Sequence, residues 1–233
     1  MIKTIRAPSI KTSLKFSNAC AAIETTIAPP KILPKRRKAK EIILAVKELG
    51  IPYVTLYTFS KENWKRPLRE VSFLMGLIVN HFKKEFEFYK KNRIKIIHIG
   101  DRKGLQKDVL NAIDNVVEDT KDFDTLTVLL AFNYSGQYDI IQAINKIINQ
   151  GSKIELNEEK FSKYLLTSKY PDPDLIVRTS GEFRISNFFL WQAVYSEFYV
   201  IDKYWPDFTK IDLTNIVDDF YKRDRRYGGI KNE

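Results

Sequence analysis

The sequence predicts one α/β domain with a mainly parallel central sheet flanked by helices. From about residue 35 onward, short apolar segments alternate with longer segments whose apolar residues recur at intervals of three and four. Strands separated by crossover helices run parallel and are covered by those helices. The length of 233 residues, with 44% hydrophobic and 29% charged residues, is typical of a globular domain with its own core.

The alternation begins with a helix over 35–49, because apolar residues repeat there at helical spacing and a glycine and a proline then end the pattern. A strand over 53–59 and a long helix over 68–91 follow. The next apolar run, 94–99, ends at a Gly-Asp pair and predicts a second strand.

A helix over 103–119 leads to residues 125–132, whose nearly continuous apolar character is typical of a strand covered on both faces. The remaining elements are a helix at 137–149, a short helix at 158–167, strands at 175–177 and 198–201, and a charged helix at 213–226. Ligands bind such a sheet at the carboxyl ends of its strands.

The N-terminal residues differ from the rest of the chain. Residues 1–34 show neither a helical nor a strand period, so we treat them as a divergent segment and 35–233 as the folded domain. Of the net charge of +10, most lies in residues 1–50, which hold eleven basic and three acidic residues. Because the remainder is nearly neutral, nucleic-acid binding is disfavoured.

Composition excludes several other classes of protein. A single cysteine, Cys20, rules out a disulfide framework and a CxxC metal site. No apolar run approaches the roughly 18 residues of a membrane span, and the first residues do not look like a secretory signal. We therefore expect a cytoplasmic protein. P-loop, GxGxxG and GxSxG motifs are absent from the sequence.

Polar clusters follow three predicted strands, at residues 60–67, 133–137 and 178–187. In the third, Arg178 and Arg184 flank hydroxyls and a glycine that would let backbone N–H groups approach an anion, which are the ingredients of a diphosphate clamp. The alternative is a solvated loop with local charge pairs. We favour the clamp because aromatic residues crowd the segment that follows.

Five segments resemble signatures of the cis-prenyltransferase family, whose best-known bacterial member is undecaprenyl diphosphate synthase. In chain order they are YTFSKENWKRP (57–67), HIGD (98–101), AFNYSGQYDI (131–140), PDLIVRTSGEFRISNFFLWQAVYSEFYV (173–200) and RDRRYGG (223–229). The resemblance extends from about residue 36 to 229, and its long RTSGE segment is highly specific.

The resemblance implies a prenyltransferase that condenses isopentenyl diphosphate with an allylic diphosphate, such as farnesyl diphosphate. The product would be a long-chain polyprenyl diphosphate, of the kind that serves as a precursor of the undecaprenyl lipid carrier. It further implies Mg²⁺ as cofactor and a homodimer. Because the product is a lipid, weak peripheral contact with a membrane surface is compatible with this function.

The resemblance also implies roles for individual residues. Arg178, Arg184 and Ser186 would hold isopentenyl diphosphate, and Glu197 would bind Mg²⁺. The loop that covers the substrates would contribute the catalytic residues Ser60 and Asn63 and the substrate-binding residues Trp64 and Arg66. Arg226 and Gly228 match an RxG element that reaches a neighbouring subunit's site.

A long helical stripe could line the tunnel that a growing hydrocarbon needs, although such stripes are more often ordinary core. Its members are Leu74, Leu77, Ile78, Phe82 and Phe86.

The chain departs from the family near its N-terminus, where the family carries DGNGRW and GHxxG elements that supply a metal-binding Asp and a loop for the allylic diphosphate. The corresponding stretch, about residues 14–35, contains neither, and Glu24 is its only carboxylate. Three explanations remain open: an altered reading frame, a targeting peptide on a truncated domain, or an inactive homologue. The alternative function is therefore a non-catalytic partner subunit of an active cis-prenyltransferase.

Overall fold

The structure, a computed structural model, describes residues 20–24, 37–151 and 155–227. Its centre is one sheet of six strands in the order β3-β4-β2-β1-β5-β6, and every neighbouring pair is parallel. The strands are β1 (Cys20–Glu24), β2 (Tyr53–Ser60), β3 (Ile94–Ile99), β4 (Leu126–Tyr134), β5 (Leu175–Arg178) and β6 (Glu197–Val200). The predicted parallel α/β fold is confirmed.

The described residues form six α-helices, of which the first five lie between strands and the sixth follows β6, and short 3₁₀ turns at Lys61–Lys65 and Trp205–Asp207. The helices are α1 (Arg37–Glu48), α2 (Leu68–Asn92), α3 (Lys107–Asp119), α4 (Gly136–Asn149), α5 (Glu158–Ser162) and α6 (Lys210–Lys222). No described helix has both the length and the apolar character needed to cross a membrane.

Most predicted boundaries agree with the structure to within two residues, and the exceptions have local causes. Helix α3 begins four residues later than predicted, after a turn in which Gly104 has a φ of +81°. Helix α6 begins three residues earlier, because Thr209 and Asp212 form a capping box, and it ends four residues earlier, because Arg223 has an extended backbone. The predicted helix over 158–167 ends already at Ser162.

Strand β1 is the element that the sequence analysis missed. Its residues pair with β2 on one side and with β5 on the other, so Cys20–Glu24 lies in the middle of the sheet. The boundary placed near residue 34 is therefore wrong for this segment, which belongs to the same sheet. Its first four residues, 20–23, are apolar and buried on both faces, so they show no alternating pattern by which to recognise a strand.

Helices cover both faces of the sheet. On one face, buried residues of α1, α2, α3 and α6 pack against alternate strand residues such as Ile23 and Val177. On the other face, the intervening residues Ala22 and Ile176 pack against Phe188 and Phe189. The order of strands reverses at β1, because β2 and β5 lie on its opposite sides, and such a reversal creates a crevice at the carboxyl ends.

Candidate active site

The loop after β2 folds over the carboxyl edge of the sheet. The backbone N–H of Ser60 donates to Asn63 Oδ1 at 3.1 Å, which closes the loop on itself. Trp64 Nε1 donates to Asn133 Oδ1 at 2.8 Å, and its ring meets Phe59 edge-on with 5.4 Å between centroids. The predicted substrate loop therefore sits against the ends of β2 and β4.

Two ion pairs fix the flanks of this loop, which we call the lid (residues 60–66). Lys61 pairs with Asp101, which follows β3, and Arg66 pairs with Glu70 in the first turn of α2 at 2.6 Å. Burial raises the pKa of the Asp101 carboxyl, but hydrogen bonds from Lys61 and from the backbone N–H of Lys103 outweigh burial and hold that pKa below its usual range. The Asp101 carboxylate is thus ionised, and it is bonded to Lys61 and to the backbone N–H of Lys103.

The loop that follows β3 is bonded closely to the end of β4. The backbone N–H of Asp101 donates to the carbonyl of Asn133 at 2.9 Å, and Asn133 Nδ2 donates back to the carbonyl of Asp101 at 2.7 Å. Gly100 makes this approach possible, since a Cβ there would lie 2.0 Å from the carbonyl oxygen of Phe132. The HIGD segment therefore positions the residue that receives Trp64.

The cationic part of the site follows β5. Arg178, the last residue of that strand, is only 4% exposed, whereas Arg184 is exposed and pairs with Glu182. Burial lowers the pKa of the Arg178 guanidinium, and the neighbouring charge of Arg184 lowers it further, while Glu182 acts in the opposite direction. Because burial and a like charge both oppose the cation, an anionic group placed between the two guanidiniums would be strongly favoured.

The predicted role of the glycine in this loop is wrong. The backbone N–H groups of Ser180 and Gly181 donate to the carbonyls of Lys203 and Ile201, at 2.7 and 3.0 Å. They are therefore used within the fold rather than directed at an anion. Gly181 is needed for a different reason: its φ is +68°, and a Cβ would lie 2.9 Å from Asp202 Oδ1.

Asn187 joins the lid to the arginine-bearing loop. Its carbonyl accepts the N–H of Gly136 at 2.6 Å, its Oδ1 accepts the N–H of Gln137 at 3.0 Å, and its Nδ2 donates to Glu62 of the lid at 2.7 Å. Asn187 and the preceding Ser186 both have positive φ, +60° and +46°. The sequence analysis did not assign Asn187 a role, although asparagine is among the residues that favour this conformation.

An aromatic layer supports these loops from below. The Phe188 ring stacks on Tyr57 at 4.3 Å and on Phe189 at 4.2 Å. Buried Asp139 accepts hydrogen bonds from the Tyr134 hydroxyl and from Gln192, both at 3.0 Å. Such a packed, hydrogen-bonded base holds the residues above it in place.

Two predicted site residues lie at the other end of the sheet. Glu197 begins β6 and pairs in register with Leu175, three residues or about 10 Å before the level of Arg178. Its carboxylate accepts from Arg223 at 2.9 Å. Arg226 is exposed and lies 3.6 Å from Asp224, and Gly228 lies outside the described residues. The described part of the chain therefore does not bring Glu197 together with Arg178.

The described residues do not fit a resident Mg²⁺ site. No group of three or more His, Cys, Asp or Glu among them is arranged to hold a metal. At the carboxyl edge, Asp101, Glu62 and Glu182 are already bonded to Lys61, Asn187 and Arg184. Glu24 ends β1 in register with Tyr57 and Arg178, so its backbone lies at this edge.

An apolar cavity of about 190 Å³ lies between α2 and the sheet. Phe59 and Phe132 line it at the carboxyl ends of β2 and β4, and the rest of its wall comes mainly from α2. Four residues of the predicted tunnel stripe line this cavity, namely Leu74, Leu77, Ile78 and Phe82. The fifth, Phe86, instead lines a separate cleft between α2 and α3.

Comparison with known proteins shows which family the chain belongs to. The family model described as "Putative undecaprenyl diphosphate synthase" matches residues 35–228. This chain belongs to the cis-prenyltransferase family. An isoprenyl transferase from Thermotoga maritima is 46% identical over 209 residues, which cover 87% of this chain and 90% of that protein. Another from Treponema denticola is 48% identical over 189 residues, covering 81% and 83%.

Solved structures place the fold in the same family. A probable undecaprenyl diphosphate synthase from Campylobacter jejuni has a TM-score of 0.80 and 32% identity, over 91% of this chain and 98% of that one. Lavandulyl diphosphate synthase from Lavandula x intermedia, in complex with dimethylallyl diphosphate, has a TM-score of 0.84 and 29% identity. The match covers 90% of this chain and 97% of that one. The predictions of family, fold and prenyltransferase class are confirmed, and cis-prenyl chain elongation is the family-level activity of this enzyme.

Proposed function

We propose that this cis-prenyltransferase extends farnesyl diphosphate with isopentenyl diphosphate to a long-chain, undecaprenyl-like polyprenyl diphosphate. One observation carries the proposal: a buried arginine beside a second arginine lies at the sheet edge where an apolar cavity begins. A prenyl diphosphate has the matching chemistry, since its head is a polyanion and its tail a hydrocarbon.

In this proposal Arg178, Arg184 and Ser186 bind the diphosphate of isopentenyl diphosphate. The allylic carbon–oxygen bond breaks, inorganic diphosphate leaves, the isopentenyl double bond forms the new carbon–carbon bond, and a proton is lost. Arg178 and Arg184 thus hold the diphosphate that the product retains, whereas the charge that develops on the leaving diphosphate of the allylic substrate would be stabilised by donors fixed beside that second substrate. Ser60, Asn63, Trp64 and Arg66 cover the substrates, because the lid closes over this edge.

Magnesium is part of the proposal as a requirement of the substrates, since a bound Mg²⁺ offsets diphosphate charge. The described carboxylates supply no ready site for it. Glu197, the ligand that the resemblance implies, lies at the opposite end of the sheet from Arg178. Glu24 is the only carboxylate in the stretch that corresponds to the family's metal-binding element.

The homodimer and the membrane contact are also proposals. Exposed apolar residues cluster near the start of β6 and the C-terminal segment, including Val194, which is 70% exposed, and Tyr195, 60% exposed. A subunit interface that covers them would bury this surface and bring Arg226 towards a second site. We propose a cytoplasmic enzyme that contacts a bilayer peripherally when it releases its lipid product.

The second candidate is a non-catalytic partner subunit. It is favoured by the absence of DGNGRW and by the lack of an acidic cluster among the described residues.

The deciding experiment compares two proteins: this chain, and a version that keeps strand β1 and carries a DGNGRW-to-GHxxG segment in place of residues 25–36. Incorporation of radiolabelled isopentenyl diphosphate into farnesyl diphosphate is measured with excess Mg²⁺. We expect the grafted version to be faster by orders of magnitude, because a group used mainly in the transition state affects turnover more than binding. Equal, rapid rates would show that Glu24 replaces the Asp, whereas no turnover by either protein would favour the partner subunit.

A further inference from the structure

The outward side of helix α2 is strongly basic. Its solvent-exposed residues include five basic residues and a single acidic one, Glu87. At about 100° of rotation per residue, these six charged side chains fall within about 120° of one another around the helix, over a length of about 33 Å. We call this surface the basic face, and its five basic residues are Arg69, Lys83, Lys84, Lys90 and Lys91.

The positive charge is concentrated on this face rather than spread over the domain. Residues 51–233 contribute only +2 to the net charge of +10, because residues 1–50 hold eleven basic and three acidic residues. The basic face alone, with five basic residues and one acidic residue, carries +4. Helix α3, which packs beside α2, has the opposite charge. Its exposed charged residues are Lys107, Asp108, Asp114, Glu118 and Asp119.

The chain itself does not neutralise this face. Within residues 20–24, 37–151 and 155–227, no acidic side chain forms an ion pair with any of the five basic residues, and the adjacent Glu85 is already paired with Lys40 of α1. Like charges held on one face of a helix repel each other. A partner that presents an extended anionic surface would relieve this repulsion along the whole face.

Two observations favour a lipid bilayer over other polyanions. Asn80 and Lys84 line the apolar cavity and are also exposed, so the cavity reaches the protein surface at the basic face. Phe73, which is 49% exposed, lies on the same side of the helix as Lys91. An apolar ring among basic residues is typical of helices that lie on anionic membranes, whereas a nucleic acid would leave both the ring and the cavity unused.

We propose that the basic face of α2 docks this enzyme on an anionic lipid bilayer. The inference rests on the proposed function, because a lipid product is the reason for the enzyme to meet a bilayer. It goes further by naming the surface that makes the contact and the charge of the lipid. In this orientation the cavity opening at Asn80 and Lys84 faces the membrane, so a hydrocarbon tail passes between protein and lipid with little exposure to water.

The test measures binding of the full chain to vesicles, without turnover. Cosedimentation is compared for vesicles of phosphatidylcholine alone and for vesicles with about 30% phosphatidylglycerol, each at low and at high salt. The double variant Lys83→Gln/Lys91→Gln removes two charges from the basic face. Lys169→Gln/Lys222→Gln is the matched control, because it removes two exposed charges from other parts of the surface and leaves the same net charge.

We expect the unmodified chain to bind the anionic vesicles, to bind them more weakly at high salt, and not to bind the neutral ones. Each lysine near an anionic membrane changes the partition coefficient roughly fivefold, so the α2 double variant should bind roughly 25-fold more weakly. The control should stay within about twofold of the unmodified chain, because its lysines lie off the docked face. Phe73→Ser should weaken binding without changing its salt dependence, since it removes an apolar contact and no charge.

Equal losses in the two double variants would overturn the inference, because net charge rather than the basic face would then determine binding. Absence of binding to anionic vesicles by the unmodified chain would also overturn it, and binding of duplex DNA in its place would assign the face to a nucleic acid. Circular dichroism identifies any variant that is unfolded. Absence of prenyl transfer by a chain that binds vesicles through α2 would refute the proposed function alone.

Discussion

The two arginines of the site should contribute unequally to substrate binding, because one is buried and the other is not. Arg178 is 4% exposed at the end of β5, whereas Arg184 is exposed and already paired with Glu182. A hydrogen bond to a charged group contributes about 1.5 to 3 kcal/mol, and a guanidinium can make two to one phosphate. An exposed ion pair contributes about 0.2 to 1 kcal/mol.

For Arg178→Ala we therefore expect a loss of about 3 kcal/mol in binding of isopentenyl diphosphate, or about 150-fold in Kd. For Arg184→Ala we expect about fivefold or less. Arg178→Lys keeps the charge without the planar fork, and its affinity should lie between that of the unmodified chain and that of Arg178→Ala. Arg93→Ala, a solvent-exposed change before β3, should have no effect.

The assay is calorimetry with isopentenyl diphosphate and no allylic substrate, after each variant has been shown by circular dichroism to be folded. Equal losses in Arg178→Ala and Arg184→Ala would refute the argument from burial. Unchanged affinity in both would remove the diphosphate assignment altogether.

Three further predictions concern the packing at Gly100, the hydrogen bond that holds the lid, and the oligomeric state. Gly100→Ala should destabilise the fold by about 2 kcal/mol or more, because the new Cβ would meet a backbone carbonyl. In the control Gly76→Ala the new Cβ has nothing within 4 Å, so that change should be neutral or stabilising. Equal melting temperatures of the two variants would contradict this prediction. Trp64→Phe removes the hydrogen bond to Asn133, so limited trypsin digestion within the lid should be faster than in the unmodified chain; an unchanged rate would mean that this bond does not hold the lid. Light scattering at micromolar concentration should report twice the chain mass of 27.3 kDa, and a monomer at every concentration would exclude the homodimer.

The sequence predicted the helices and strands that have a clear period. Helix α2 and strand β3 are found nearly as predicted, because their apolar residues recur at one spacing over their whole length. Strand β1 could not be predicted in this way, since residues 20–23 are apolar and buried on both faces and so do not alternate. Its identity as a strand depends on partners that lie far away in the sequence.

The same distinction holds for the site. Motif spacing placed Arg178 and the lid on one edge of the sheet, because the carboxyl ends of parallel strands meet there. It could not show that the N–H groups of Ser180 and Gly181 bind carbonyls after β6, nor that Asn187 joins three loops. Both facts depend on how loops from separate elements meet in space.

The position of β1 also constrains how the chain can fold during synthesis. β1 is the first described strand to leave the ribosome, yet one of its two partners, β5, follows about 150 residues later. Until β5 arrives, β1 and β2 present an open hydrogen-bonding edge in the middle of the future sheet. Pairings this distant in sequence form slowly, and partly folded chains with open strand edges aggregate. We expect fragments that end before residue 175 to be aggregation-prone, even though they contain the lid and most of the cavity wall.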